Sequence, residues 1–148
     1  MKMKRFKYTI GLISALLLSS TAFATKLTTD VERKVTSSNI IKPVNVEEFL
    51  ELFDEYEELV IVDSRTKKDR SGGFVEGSLS LPDTETTPAE LAKIIPSKGT
   101  PVLFYCNGVK CGRSAIAALI AEEAGYTKIF WFKGGWEAWV NNGMPVAN

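Results

Sequence analysis

There is no histidine anywhere in these 148 residues. That removes a Cys-His pair or a Ser-His-Asp triad from this chain, together with the commonest metal ligand. Cysteine is almost as scarce. Cys106 and Cys111 stand alone, too few to complete a structural zinc site. No metal centre is expected, and no organic cofactor is implied. The chain also lacks a net charge: 18 basic residues balance 18 acidic ones. Nothing in that balance invites nucleic acid. Any catalysis must rest on Cys, Lys, Arg, Asp or Glu, and on backbone dipoles.

Four of the cations fall in the first seven residues, MKMKRFK, which carry no acid. A short apolar run follows (TIGLISALLLSS), then the small-x-small pattern Ala22-Phe23-Ala24. This is the order of a secretory signal peptide, and the run is shorter than the roughly 20 residues a membrane span needs. The expectation is a leader over residues 1–24, cleaved near Ala24, and a periplasmic or secreted protein with no stable membrane anchor after cleavage. Loss of four cations leaves 14 basic against 18 acidic residues, a charge of about −4. The remainder suits one domain with one sizeable core. Residues 25–43 are polar and read as a lead-in, with a short strand at Asn39–Ile41; the folded domain spans 44–148.

Within that domain, apolar runs alternate with helical patterns. Asn45 is placed to cap a helix, with Glu47 and Glu48 in its first turn and Phe49, Leu50 and Phe53 on one face. Leu59–Val62 is an uninterrupted apolar run ending in Asp63, as in a strand buried on both sides of a parallel sheet. Residues 64–77 form a charged, glycine-punctuated loop. Leu79 and Leu81 mark a short strand that Pro82 stops. Thr87-Pro88 opens a helix to Ile95. Val102–Tyr105 is the next strand. Ser114–Ala124 reads as a helix with Ile116, Leu119 and Ile120 on one face and Gly125 as its stop. Lys128–Phe132 is another strand, and Trp136–Val140 a last short helix. The alternation argues an α/β layer sandwich around a central parallel sheet. Trp131, Trp136 and Trp139, with Phe130 and Phe132, are read as core.

One stretch concentrates the chemistry: "FYCNGVKCGRS", residues 104–114. Cys106 stands at the carboxyl end of a strand, where open parallel sheets bind ligands. The loop behind it runs into a helix amino terminus. Successive loop amides can converge into an anion-binding nest, and the helix dipole favours negative charge at the same place. Both stabilise a thiolate over a thiol. Arg113 adds a fixed positive charge and a fork of donors suited to oxyanions. The parts suit a nucleophilic thiolate facing an anionic substrate, with no histidine base. A small buried hydrophobe is the plainer reading of a lone cysteine after a strand.

The order and spacing of several stretches resemble the rhodanese-like domain family of sulfurtransferases, over about Val44–Val146. "LVIVDSR" (59–65) looks like the family's strand ending in Asp-x-Arg. "GFVEGSLSLP" (73–82) resembles its Gly-His-Ile-x-Gly-Ala stretch, with Phe74 in place of the histidine. The segment from "LFYC" through "GGWEAWVNNGMPV" (103–146) is similar to the active-site loop, its helix and the Gly-Gly-Trp ending. The resemblance implies a three-layer α/β sandwich and a Cys106 persulfide that carries sulfur from a small anionic donor such as thiosulfate. The acceptor would be a thiol or another thiophile, small molecule or protein. By the same match, the loop residues Asn107, Gly108, Val109, Lys110, Cys111 and Gly112 cradle the persulfide. Arg113 holds the anionic end of the donor, and Ser114 caps the helix. Asp63 and Arg65 support the loop from below, or form an ordinary structural ion pair. Six residues separate Cys106 from Arg113, more than the family's usual loop. Longer loops belong to members that resemble phosphatase-type domains.

Cys111 leaves three readings open. An exported protein with two cysteines normally bonds them, and residues five apart in one loop can reach disulfide spacing. A permanent bond would make the domain a non-catalytic binding module. A reversible bond would make Cys111 a resolving thiol in a thiol-disulfide or sulfur-carrier module with a protein partner. The third reading is a bystander thiol.

Overall fold

The structure is a computed structural model that describes residues 26–148; the expected leader lies outside the described residues. The segment read as a lead-in is built into the fold. It holds helix α1 (Thr29–Thr36) and strand β1 (Ile41–Val44), so the expected strand starts two residues later and runs longer. Thr28 caps α1, and Val35 is wholly buried against the core. The signal for this helix was two valines four apart, Val31 half-buried and Val35 wholly buried, in an otherwise polar segment.

The remaining elements follow the expected alternation. Helix α2 (Val46–Glu55) opens with a complete capping box: Asn45 accepts from the Glu48 amide, and Glu48 accepts from the Asn45 amide. Strand β2 (Val60–Asp63) leads through a one-turn helix α3 (Lys67–Arg70) to the short strands β3 (Phe74–Val75) and β4 (Leu79–Ser80). A 3₁₀ turn (Asp83–Glu85) and helix α4 (Pro88–Ile94) precede the central strand β5 (Val102–Tyr105). Helix α5 (Arg113–Glu123), strand β6 (Ile129–Phe132), helix α6 (Gly135–Asn141) and strand β7 (Val146–Ala147) complete the chain.

Five strands form one parallel sheet in the order β1-β6-β5-β2-β4, while β3 and β7 pair antiparallel beside it. The middle strands β5 and β6 are buried along their whole length, as their unbroken apolar runs require. Alternate side chains feed two cores. Val62, Phe104 and Trp131 pack with α1, α4 and α5 on one face. Ile61, Leu103, Tyr105 and Phe132 pack with Phe49, Leu52 and Trp139 from α2 and α6 on the other. Helices thus cover both faces, giving three layers. Among the described residues, no helix is long and apolar enough to cross a membrane.

Helix α5 departs from expectation. Its buried stripe is Ala115, Ala117, Ala118 and Ala121, and Ile116, Leu119 and Ile120 are only half-buried. Small side chains bring the helix close to the sheet, whereas the branched residues lie at the margins. Of the five aromatics assigned to the core, four are buried; Trp136 is half-buried and carries the Arg65 guanidinium 4.7 Å from its ring centroid.

Candidate active site

Register sets the site. Asp63, Tyr105 and Phe132 are partners at the carboxyl ends of β2, β5 and β6, so the segments after these three strands meet at one edge. Cys106 begins the middle segment. It is 1% exposed, and its carbonyl accepts from the Trp136 amide at 2.8 Å. The next carbonyl, of Asn107, accepts from the Glu137 amide at 2.8 Å. The first amides of α6 therefore hold the loop backbone. The crossing is tight. Gly135 has φ +58°, and a Cβ there would run into the Cys106 carbonyl.

Helix α5 presents its amino end to the same loop. Helices α1 to α4 each have a side-chain cap, from Thr28, Asn45, Thr66 and Thr87, but Gly112 gives α5 none. First-turn amides without a side-chain acceptor suit an anion beside them. The structure thus has two uncapped helices at the loop: α6 binds loop carbonyls, and α5 is left for negative charge.

The structure joins Cys106 to Cys111, with Cα atoms 6.2 Å apart. The bystander reading of Cys111 does not describe this state. The loop is closed further by the Cys111 amide, which donates to the Gly108 carbonyl at 2.9 Å. A segment missed from sequence lies across it. Lys26 bridges Cys111 in antiparallel fashion, and the Leu27 amide donates to the Lys110 carbonyl at 2.8 Å. A Cβ on Gly112 would sit 2.9 Å from the Lys26 carbonyl, which explains a glycine between Cys111 and Arg113.

A cavity of about 640 Å³ opens over the loop. Asn107, Gly108, Val109, Lys110, Cys111 and Arg113 line it, as expected of the loop. Lys26, Asp69 and Glu137 line it too, and none of these three was expected. Sequence reading could not find them, because they come from the amino-terminal segment, α3 and α6. Asp69 accepts from the Asn107 side-chain amide at 3.3 Å. Burial alone would raise the Asp69 pKa, but the bonds from Thr66 and Asn107 hold it below the ordinary carboxylate value.

Two expected residues sit differently from the reading. Ser114 is inside the first turn of α5 and caps nothing; its hydroxyl accepts from the Trp131 indole at 3.1 Å and is buried. Arg113 lines the cavity, yet one guanidinium nitrogen is 2.5 Å from Asp83, in a pair that is 10% and 8% exposed. Asp83 thereby fixes the direction of the fork.

Asp63 and Arg65 form an ion pair, both essentially buried. Arg65 donates to both Asp63 oxygens, at 3.0 and 2.7 Å, and to the Gly73 carbonyl at 2.8 Å. Arg70 and the Tyr105 hydroxyl also donate to Asp63, at 3.0 and 2.6 Å. Burial would raise the Asp63 pKa, but the bonds from Arg65 and Tyr105 outweigh it and the pKa is lowered. Burial, with the Asp63 charge behind it, pushes the Tyr105 pKa up to about 12. Arg70 also covers the Phe74 ring at 3.7 Å. Ser64, next to this network, is fully buried, and its hydroxyl has no hydrogen-bond partner among the described residues.

These features together define a parallel α/β sandwich with a cysteine loop at the carboxyl end of its central strand, set between two helix amino ends. The chain belongs to the rhodanese-like domain family, whose model matches residues 45–142. It is 25% identical over 107 residues to a sulfurtransferase of Allochromatium vinosum, covering 72% of this chain and 95% of that protein. It is 28% identical over 91 residues to the uncharacterized protein YibN of Escherichia coli, spanning 61% of this chain but only 62% of YibN. In fold it is similar to a thiosulfate sulfurtransferase of Pseudomonas aeruginosa, with TM-score 0.65 and 24% identity over 80% of this chain and 21% of that one. It also resembles a Rhodopseudomonas palustris protein described as a possible tyrosine phosphatase, with TM-score 0.62 and 24% identity over 79% of this chain and 91% of that one.

Proposed function

We propose that this domain is an exported sulfurtransferase that works through a persulfide on Cys106. The observation that carries the reading is the position of Cys106: buried, at the end of the central strand, with its backbone held by α6 and the uncapped α5 beside it. Family membership and the Allochromatium sulfurtransferase support it.

The chemistry begins from the reduced loop. The Cys106 thiolate attacks the sulfane sulfur of a donor such as thiosulfate. The donor's S–S bond breaks, sulfite leaves with the bonding pair, and Cys106 retains one extra sulfur as a persulfide anion. Loop amides and the α5 dipole stabilise that charge, and Arg113, aimed by Asp83, faces the departing oxyanion. An acceptor thiolate then takes the outer sulfur and frees Cys106. Sulfite release on mixing reduced protein with thiosulfate tests this directly. A stoichiometric burst that disappears in Cys106→Ser supports it; no release from the fully reduced protein contradicts it.

The Cys106–Cys111 bond favours a second reading, a thiol-disulfide or sulfur-carrier module. Here the outer sulfur of the persulfide takes a proton from water, the Cys111 thiolate attacks the Cys106 sulfur, hydrosulfide leaves with the bonding pair, and the disulfide forms. A dithiol protein partner then returns two electrons to reopen it. Slow multiple turnover with thiosulfate, restored by a dithiol reductant, distinguishes this cycle from simple transfer.

A further inference from the structure

The two halves of the disulfide are unequally placed. Cys106 is 1% exposed and is absent from the cavity wall, whereas Cys111 is half-buried and lines the cavity. A thiolate can break a disulfide only by reaching one sulfur in line with the bond, so access decides which sulfur receives it and which leaves. We infer that Cys111 is the sulfur attacked when the bond is reopened, and that Cys106 is the leaving group. The inference rests on the thiol-disulfide reading and assigns the direction of its reductive half.

The surroundings of the two sulfurs agree with that direction. Lys26 and Lys110 line the cavity with Cys111, and their ammonium groups favour an approaching thiolate. Both sulfurs lie in the loop that runs into the uncapped amino end of α5, which stabilises the thiolate that departs. The Lys26–Leu27 segment and the Gly108 carbonyl hold Cys111, and the Trp136 amide holds Cys106.

The step balances as follows. One thiolate of a dithiol partner attacks the Cys111 sulfur; the Cys106–Cys111 bond breaks and Cys106 departs as a thiolate with the bonding pair. A mixed disulfide joins Cys111 to the partner. The partner's second thiolate attacks its own bonded sulfur, releasing the Cys111 thiolate and leaving the partner oxidised. Two electrons pass from partner to loop, and Cys106 is free as a thiolate from the first step onward.

The test uses the oxidised full-length mature protein and glutathione, a monothiol that cannot complete the second step within one molecule. Samples are acid-quenched during the reaction, alkylated and mapped by fragmentation mass spectrometry. The expected result is glutathione on Cys111 and the alkyl group on Cys106, exceeding the reverse pattern at least tenfold. Glutathione on Cys106, or an even division, overturns the inference but leaves a reversible disulfide intact. A protein that keeps both thiols free under mild oxidant, or a disulfide that glutathione and dithiothreitol both fail to open, overturns the thiol-disulfide reading and this inference with it.

Discussion

The Trp136 backbone amide donates to the Cys106 carbonyl at 2.8 Å, so the last helix of the chain holds the residue that carries the proposed chemistry. The two residues are thirty positions apart in sequence and belong to segments that meet only because β5 and β6 are parallel neighbours. Gly135 makes the approach possible. Replacing it with alanine puts a Cβ against the Cys106 carbonyl at a backbone conformation that disfavours side chains. Gly135→Ala is expected to lose about 1–3 kcal/mol of stability and to slow persulfide formation roughly 100-fold through misplacement of the sulfur. Thermal unfolding and the sulfite burst measure the two effects separately.

The buried Asp63–Arg65 pair gives a pH prediction. Asp63 has its pKa lowered in the folded state. Its contribution to stability is therefore fully present above the unfolded carboxylate value of about 3.9 and fades as pH falls through the lower folded value. Asp63→Asn is expected to destabilise by about 3–5 kcal/mol at neutral pH, because Arg65 is left buried without its counter-charge. Urea unfolding across the acid range should show the gap to wild type closing as pH drops. A gap independent of pH in that range would contradict the ionised pair.

Tyr105 gives the alkaline counterpart. Its folded pKa is raised to about 12, so its contribution is complete below the unfolded value of about 10 and is lost as pH rises through about 12. Ultraviolet titration should show a tyrosine ionising near pH 12, and Tyr105→Phe should remove that late step. The same variant deletes the hydroxyl that Asp63 accepts from, at about 1.5–3 kcal/mol for a bond to a charged group.

Ser64 predicts a gain. Its hydroxyl is buried and unpartnered among the described residues, a state that costs about 1–3 kcal/mol. Ser64→Ala should leave stability unchanged or raise it by up to about 1 kcal/mol, measured by the unfolding midpoint. A clear loss would mean that the hydroxyl has a partner in solution.

The amino-terminal strap predicts a change confined to the loop. Leu27→Pro removes the amide that bonds the Lys110 carbonyl. The disulfide is then expected to open several times faster with dithiothreitol, while global stability falls by about 1 kcal/mol for the lost hydrogen bond and further for the Leu27 side chain taken from the core. Unchanged opening would show that the strap does not restrain Cys111.

Much of this was legible in sequence because local and global signals agreed. The apolar runs at 60–62, 102–105 and 129–132 suited strands buried in a parallel sheet, as they are, and Asn45 and Thr87 announced their helices through caps. Cys106 and its loop could be placed because strand ends and glycine loops are local features. What could not be read was long-range. The pairing of Asp83 with Arg113, and the cavity positions of Lys26, Asp69 and Glu137, depend on which loops the topology brings to one edge. Ser114 misled for a related reason. A serine at a helix start reads as a cap, but Trp131, seventeen residues on, claims its hydroxyl from inside the first turn.

The central claim is that Cys106, and no other residue, holds the transferred sulfur. Intact mass of the fully reduced mature protein after thiosulfate tests it most directly. The account predicts a gain of one sulfur atom in Cys111→Ser and no gain in Cys106→Ser, with wild type ending either at that gain or two hydrogens light with the loop disulfide closed. A gain that survives the loss of Cys106, or its absence from the reduced Cys111→Ser protein, would contradict it.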